Sequence, residues 1–165
     1  MSIDAFNSVD LVAFDIDGTL TDGTTTWLGN EIGWTQTYST RDGESMLRLV
    51  KIGLHVVPLS RNKTACARAR MDALGLPLDW LGVADKVEGL RAIATRFVVA
   101  PERICYLGDG LEDASVFAMV GSSCAVADAH PRARAAASFV TRAKGGDRAF
   151  EEVALRILDA RGVPV

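Results

Sequence analysis

Leu11-Val12-Ala13-Phe14-Asp15-Ile16-Asp17-Gly18-Thr19 is the stretch on which the fold turns. Its first four residues are apolar without alternation. That pattern belongs to a strand buried on both faces, as in a parallel sheet covered by helices. Two carboxylates, one residue apart, follow at once, so they stand at the carboxyl end of the strand, where open α/β sheets keep their ligand sites. Gly18 lets the chain turn away sharply. Asp15 is placed to act as a nucleophile and Asp17 as an acid/base. A carboxylate attacking a phosphoryl group forms an aspartyl-phosphate, which splits one hard step into two. An all-oxygen donor set calls for a hard cation, and Mg²⁺ is the expected one.

Moving outward, short apolar runs alternate with helical patterns. Strands are expected at Leu11–Asp15, His55–Leu59, Leu78–Leu81, Ile104–Leu107 and Ser123–Val126, with a short sixth at Phe139–Thr141. Helices are expected near Gly43–Ile52, Thr64–Leu74, Lys86–Phe97, Asp113–Val120, Pro131–Ala137 and Arg148–Arg161. This alternation predicts an α/β fold, a Rossmann-like three-layer sandwich around a central parallel sheet. One stretch breaks the rhythm. Thr24 to Leu28 and Ile32 to Tyr38, rich in Thr, Trp and Tyr, flank Gly29-Asn30-Glu31 and read as a β-hairpin within about residues 23–40. The hairpin either extends the sheet or forms a flap beside the site. Trp27, Leu28, Ile32 and Trp34 exceed what a small body can bury, so a subunit contact is expected.

The 165 residues suit a single domain, 1–165, and a hydrophobic fraction of 48% suffices for a core. A net charge of −3 gives no electrostatic case for nucleic acid. No apolar stretch approaches a membrane span, and Met1 to Asp10 shows no signal-peptide pattern. The three cysteines, Cys66, Cys105 and Cys124, are scattered through helix-like and strand-like runs. They read as buried free thiols and predict a cytoplasmic protein.

Further chemistry falls in order along the chain. Ser60 follows the apolar run His55 to Leu59, where a hydroxyl either donates to a phosphoryl oxygen or caps a turn. Lys86 opens a helix. An ammonium there opposes the macrodipole, so helix stability does not explain it. It is either a solvated surface lysine or a charge that bridges an aspartate nucleophile and the phosphoryl. The strand Ile104 to Leu107 ends in Gly108-Asp109-Gly110-Leu111-Glu112-Asp113.

Taken together, DxDGT at Asp15 to Thr19, Ser60, Lys86 and GDxxxD at Gly108 to Asp113 resemble the haloacid dehalogenase superfamily of phosphotransferases. The resemblance implies that Asp109 completes a Mg²⁺ shell with Asp15 and the backbone carbonyl of Asp17. It implies Asp113 in an outer shell, orienting a metal-bound water or Lys86, and Thr19 among the substrate-binding residues. The intervals between motifs leave room for the hairpin but for no cap domain. Thr40-Arg41-Asp42-Gly43 and Ala127-Asp128-Ala129-His130-Pro131 narrow the resemblance to the 3-deoxy-D-manno-octulosonate 8-phosphate phosphatase family and related nonulosonate 9-phosphate phosphatases. Those families imply homotetramers in which one subunit's hairpin helps close a neighbour's site.

Departures fall on substrate recognition. Ser60-Arg61-Asn62 stands where the family reads Thr-Gly-Arg, Gly145-Gly146-Asp147-Arg148-Ala149 where it reads Gly-Gly-x-Gly-Ala, and Gly110 where it often carries Asp. Arg41, Arg61 and Lys63 are candidates for a sugar carboxylate, and His130 reads as a helix-start or site-wall residue. The expected function is therefore a Mg²⁺-dependent phosphatase of a phosphorylated keto-acid sugar. Two alternatives stand beside it: a non-catalytic tetramerisation domain of the kind fused to acylneuraminate cytidylyltransferases, and a phosphoaccepting receiver domain.

Overall fold

The computed structural model describes residues 3–164. In chain order the strands are β1 (Leu11–Phe14), β2 (Thr26–Trp27), β3 (Trp34–Thr35), β4 (His55–Pro58), β5 (Ile104–Gly108), β6 (Ser122–Ala125) and β7 (Phe139–Val140). The helices are α1 (Ile3–Asn7), α2 (Thr40–Lys51), α3 (Ala65–Ala73), α4 (Lys86–Phe97), α5 (Leu111–Phe117), α6 (Pro131–Ala136) and α7 (Ala149–Ala160). Five strands form one parallel sheet in the order β4-β1-β5-β6-β7. Helices α1, α2 and α7 pack together as one layer, and α4, α5 and α6 as the other. The expected Rossmann-like sandwich is present, without a cap domain.

β1 is apolar throughout because every residue of it is enclosed: Leu11, Val12, Ala13 and Phe14 are all fully buried. Phe14 meets Phe150 of α7 edge to face, with ring centroids 5.2 Å apart. The chain order reverses at β1, whose neighbours β4 and β5 lie on opposite sides. This is the topological switch point at which such sheets open a crevice. Register brings the motifs there together. Phe14 pairs with Pro58 on one side and Leu107 on the other, so Asp15, Ser60 and Asp109 emerge at the same end of the sheet.

The run Leu78–Leu81 corrects the sequence reading, for it is not a strand. The Leu81 N–H closes a turn on the Leu78 carbonyl, and Gly82 follows at φ +84. Only Leu81 bridges to the sheet end, opposite Ser60. The apolar side chains there are core residues of a turn: Trp80 and Leu81 are buried. Helix α1 is not legible in the sequence pattern. Helix α2 starts three residues before the expected Gly43, because the Ser39 hydroxyl caps it by accepting the Asp42 N–H at 3.4 Å. Asp42 in turn accepts the N–H of Glu151 at 2.8 Å, tying α2 to the start of α7.

The hairpin is shorter than expected and pairs with itself alone, Thr26 with Thr35 and Trp27 with Trp34. It therefore does not extend the main sheet. The Trp27 and Trp34 rings meet at a tilt of 56° with centroids 5.2 Å apart, yet Trp27, Leu28, Ile32 and Trp34 are all about half exposed or more. Among the described residues no helix is long and apolar enough to cross a membrane. Cys105 and Cys124 are buried free thiols, whereas Cys66 is only half-buried, against the foot of the hairpin.

Candidate active site

Asp15 leaves β1 with its Oδ1 accepting the N–H of Ile16 at 2.7 Å, which fixes the carboxylate plane. Its Oδ2 lies 2.6 Å from Lys86 Nζ. The same ammonium donates to Asp113 Oδ1 at 2.6 Å. Lys86, 5% exposed, is therefore a buried cation bridging two carboxylates. Its helix position matches the sequence reading, but the element before it is a turn rather than a strand.

Asp113 is fully buried and has no lone pair to spare. Its Oδ1 also accepts the Tyr106 hydroxyl at 2.7 Å, and its Oδ2 accepts the N–H groups of Asp109 and Gly110 at 2.9 and 2.8 Å. Its geometry is that of a brace for Lys86 and for the Asp109 turn. Asp15, Asp109 and Asp113 offer carboxylate oxygens within 4.8 Å of one another. Since the Asp113 oxygens are committed, Asp15 and Asp109 are the two whose oxygens suit a cation. Asp109 Oδ1 accepts the Thr19 hydroxyl at 3.3 Å. Thr19 is fully buried, so it touches a carboxylate of the site and does not line the cleft.

The charge balance of the site is set by burial and by its neighbouring charges. Burial pushes the Asp15 carboxyl up to about 6, against the pull of the Lys86 ammonium. Burial, and then the charges of Asp15 and Asp113, push Asp109 up to about 7. Burial alone would lower the Lys86 pKa, but Asp15 and Asp113 outweigh it and raise the ammonium above its ordinary value. One cation thus faces three carboxylates. A hard divalent ion held by oxygen donors would offset the excess negative charge, and the donor set fits Mg²⁺ better than a thiophilic metal.

Two glycines make this packing possible. Gly18 has φ +75, and a Cβ there would stand 2.2 Å from Asp109 Oδ2. A Cβ on Gly145 would lie 1.9 Å from the Gly18 carbonyl oxygen, so the Gly145-Gly146 loop presses directly on the Asp15–Thr19 turn. The Gly146 N–H donates to the Thr19 carbonyl at 3.1 Å, and the Gly145 N–H to Asp128 at 2.9 Å.

The cleft over these groups has a volume of about 230 Å³. Asp15, Asp17, Ser60, Lys86, Asp109 and Arg61 line it, and Arg61 reaches Glu112 across the rim at 3.2 Å. Ser60 is buried, and its Oγ accepts the Asn62 N–H at 3.1 Å. It thus both caps the turn and faces the cleft. Besides Thr19, two further expected substrate residues are not brought in. Arg41 pairs with Glu151 at 3.6 Å on the outside of α2, and the Lys63 stem lies against Gly82. His130 caps α6. Sequence reasoning missed Tyr106, whose hydroxyl bonds Asp113, and Gln36 and Asn62, whose amides bond Asp17. A tyrosine in a fully buried strand must find a partner for its hydroxyl, and that was the available signal for Tyr106.

A carboxylate pair at the switch point, a buried lysine braced by a second acidic motif and a glycine-turned loop define a haloacid dehalogenase-like hydrolase, and the family model of that description matches residues 82–147. More narrowly, the chain belongs to the 3-deoxy-D-manno-octulosonate 8-phosphate phosphatase family, KdsC. It is 33% identical to the Yersinia pestis enzyme of that name over 154 residues, 93% of this chain and 82% of that protein. The cobalt-bound Haemophilus influenzae phosphatase superposes with a TM-score of 0.88 at 32% identity, covering 95% of this chain and 88% of that one. The Moraxella catarrhalis phosphatase in complex with magnesium, phosphate and KDO superposes with a TM-score of 0.92 at 25% identity, covering 97% and 91%. The protein is a phosphoric monoester hydrolase acting on sugar phosphates. The assembly-domain and receiver-domain alternatives are set aside.

Proposed function

We propose that the protein is a Mg²⁺-dependent phosphatase of an eight- or nine-carbon keto-acid sugar phosphate, working through an aspartyl-phosphate on Asp15. The observation that carries this reading is Lys86 Nζ, 2.6 Å from both Asp15 and Asp113 at the floor of the cleft. An ammonium so held sits where negative charge accumulates as phosphorus changes partners. Asp15 attacks phosphorus while the bond from phosphorus to the sugar oxygen breaks, and Asp17 gives that oxygen a proton. Asp17 then takes a proton from the water that attacks the aspartyl-phosphate, which frees Asp15 and releases inorganic phosphate. Ser60 and Lys86 hold the phosphoryl oxygens. Asp15, Asp109 and the Asp17 backbone carbonyl would hold Mg²⁺, which when bound neutralises the oxyanions.

The cleft suits a phosphoryl group and the first atoms of its ester, so the rest of the sugar extends past the rim. Arg61 is the cleft-lining cation best placed for a carboxylate, and it would exchange Glu112 for substrate. The relatives' named substrate supports the keto-acid class. A panel of phosphorylated keto acids and neutral sugar phosphates of equal length tests it. The keto acids are expected to lead in kcat/KM by about tenfold or more, and equal values would overturn the assignment. Cytoplasmic placement rests on the cysteine usage.

The half-exposed Trp27, Leu28, Ile32 and Trp34 support a homotetramer assembled through the flap. Replacing Trp27, Ile32 and Trp34 together with serine should give a smaller species in light scattering. It should also weaken sugar phosphate turnover more than that of a small aryl phosphate. A wild-type monomer, or an unchanged assembly in the triple variant, would refute the flap's role.

A further inference from the structure

Asp17 is exposed at the cleft, and a carboxylate in that position is free to rotate unless something holds it. Two carboxamides converge on it. Gln36 Nε2 donates to Asp17 Oδ1 at 2.6 Å, and Asn62 Nδ2 donates to the same oxygen at 2.8 Å. The two amides also bond to each other, Asn62 Nδ2 donating to Gln36 Oε1 at 2.9 Å.

Their orientations are not interchangeable. Asn62 Oδ1 accepts the backbone N–H of Thr64 at 2.9 Å and its hydroxyl at 2.8 Å. Only its nitrogen is then left for Asp17. Gln36 Oε1 takes the Asn62 amide and the Tyr38 hydroxyl, the latter at 3.4 Å, so its nitrogen also faces Asp17. Asn62 is buried and Gln36 half-buried. Gln36 directly follows β3, at the foot of the flap, where the thiol of Cys66 reaches its carbonyl at 3.8 Å.

We propose that Gln36 and Asn62 are positioning residues that hold Asp17 for proton transfer, which makes the foot of the flap part of the catalytic apparatus. Both donors occupy Oδ1. A proton on that oxygen would face two N–H groups, so Oδ2 is the oxygen that carries the proton to the departing sugar oxygen. As the bond to phosphorus breaks, the sugar oxygen keeps the bonding pair and takes that proton, and Asp17 is left ionised with both amides on Oδ1. The inference rests on the acid role of Asp17 in the reading above.

The test is the dependence of kcat/KM on leaving group, measured on the Mg²⁺-loaded enzyme with a series of aryl phosphates from p-nitrophenyl to phenyl and with a primary alkyl phosphate. kcat/KM reports the steps up to the aspartyl-phosphate, in which the leaving oxygen needs its proton. Gln36→Met keeps the length of the side chain and removes the donor. Asn62→Asp keeps the acceptor for Thr64 and removes the other donor, so the turn survives; melting temperatures check this. Each variant should lower the alkyl-to-p-nitrophenyl ratio of kcat/KM by about tenfold or more, a fraction of what general acid catalysis supplies. Gln36→Glu should not restore it. An unchanged ratio in both folded variants would overturn the inference. Asp17→Asn run in the same series separates the two layers. If it too leaves the ratio unchanged, the acid role itself is wrong. If it collapses the ratio while Gln36→Met and Asn62→Asp do not, only the positioning role fails.

Discussion

Asp15→Asn is expected to lose turnover by about 10⁴-fold or more, the scale seen when a covalent nucleophile is removed from a constellation that acts as a unit. An amide cannot form the acyl-phosphate. The same variant should keep its fold and melt no lower than wild type in metal-free buffer at neutral pH. Burial holds the Asp15 carboxyl up to about 6, from an ordinary 3.8. A raised carboxyl contributes stability that is complete below its unfolded value and is lost as pH rises through 6. Above that, the ionised group is a cost, and asparagine removes it. Lys86 meanwhile keeps Asp113 at 2.6 Å. Activity assays and thermal melts on the one preparation check both halves. Appreciable residual turnover would sink the covalent mechanism, and a collapse of the fold would sink the electrostatic account.

Chelation should lower turnover by about 10²-fold or more, and Mg²⁺ should restore it. Mg²⁺ should also raise the melting temperature of wild type, by an amount equivalent to about 2.7 kcal/mol at a hundredfold excess over Kd. Asp109→Ala should abolish both responses, whereas a metal-independent enzyme would show neither. The pH dependence has a definite sign. Asp109 is pushed up to about 7 and Asp15 to about 6, so protons compete with the cation as pH falls through 7 and then 6. Apparent Mg²⁺ affinity should therefore fall on acidification across that window. Titration by calorimetry at several pH values measures it, and a flat affinity would show that these two carboxylates do not hold the ion.

Much of the site was legible because the chemistry is strung along the chain at strand ends. An unbroken apolar run followed by Asp15-Ile16-Asp17-Gly18 states both a buried strand and what its carboxyl end presents. The same logic places Asp109 after Ile104 to Gly108. The run Leu78–Leu81 was misread because four residues with apolar ends serve a buried turn as well as a strand, and periodicity cannot separate them over so short a span. Only the path of the chain after Gly82 does so.

The sequence by itself determined the α/β alternation, the parallel sheet and the hairpin, and it singled out Asp15, Asp17, Ser60, Lys86, Asp109 and Asp113 as candidates, five of which line one cleft while Asp113 bonds Lys86 at its floor. These follow from local patterns of apolar residues and from residue types that physical chemistry assigns to few tasks. Tertiary structure alone decided which of those residues meet and which partners each one holds. It committed every oxygen of Asp113 to Lys86, Tyr106, Asp109 and Gly110, so that Asp15 and Asp109 are the carboxylates proposed to hold a cation. It turned Arg41 outward to Glu151 and buried Thr19 behind Asp109. It brought Gln36 and Asn62, far apart in the chain, onto one oxygen of Asp17. Hydrogen-bond partners depend on directions and distances between separate elements, and only the assembled sheet and flap supply them.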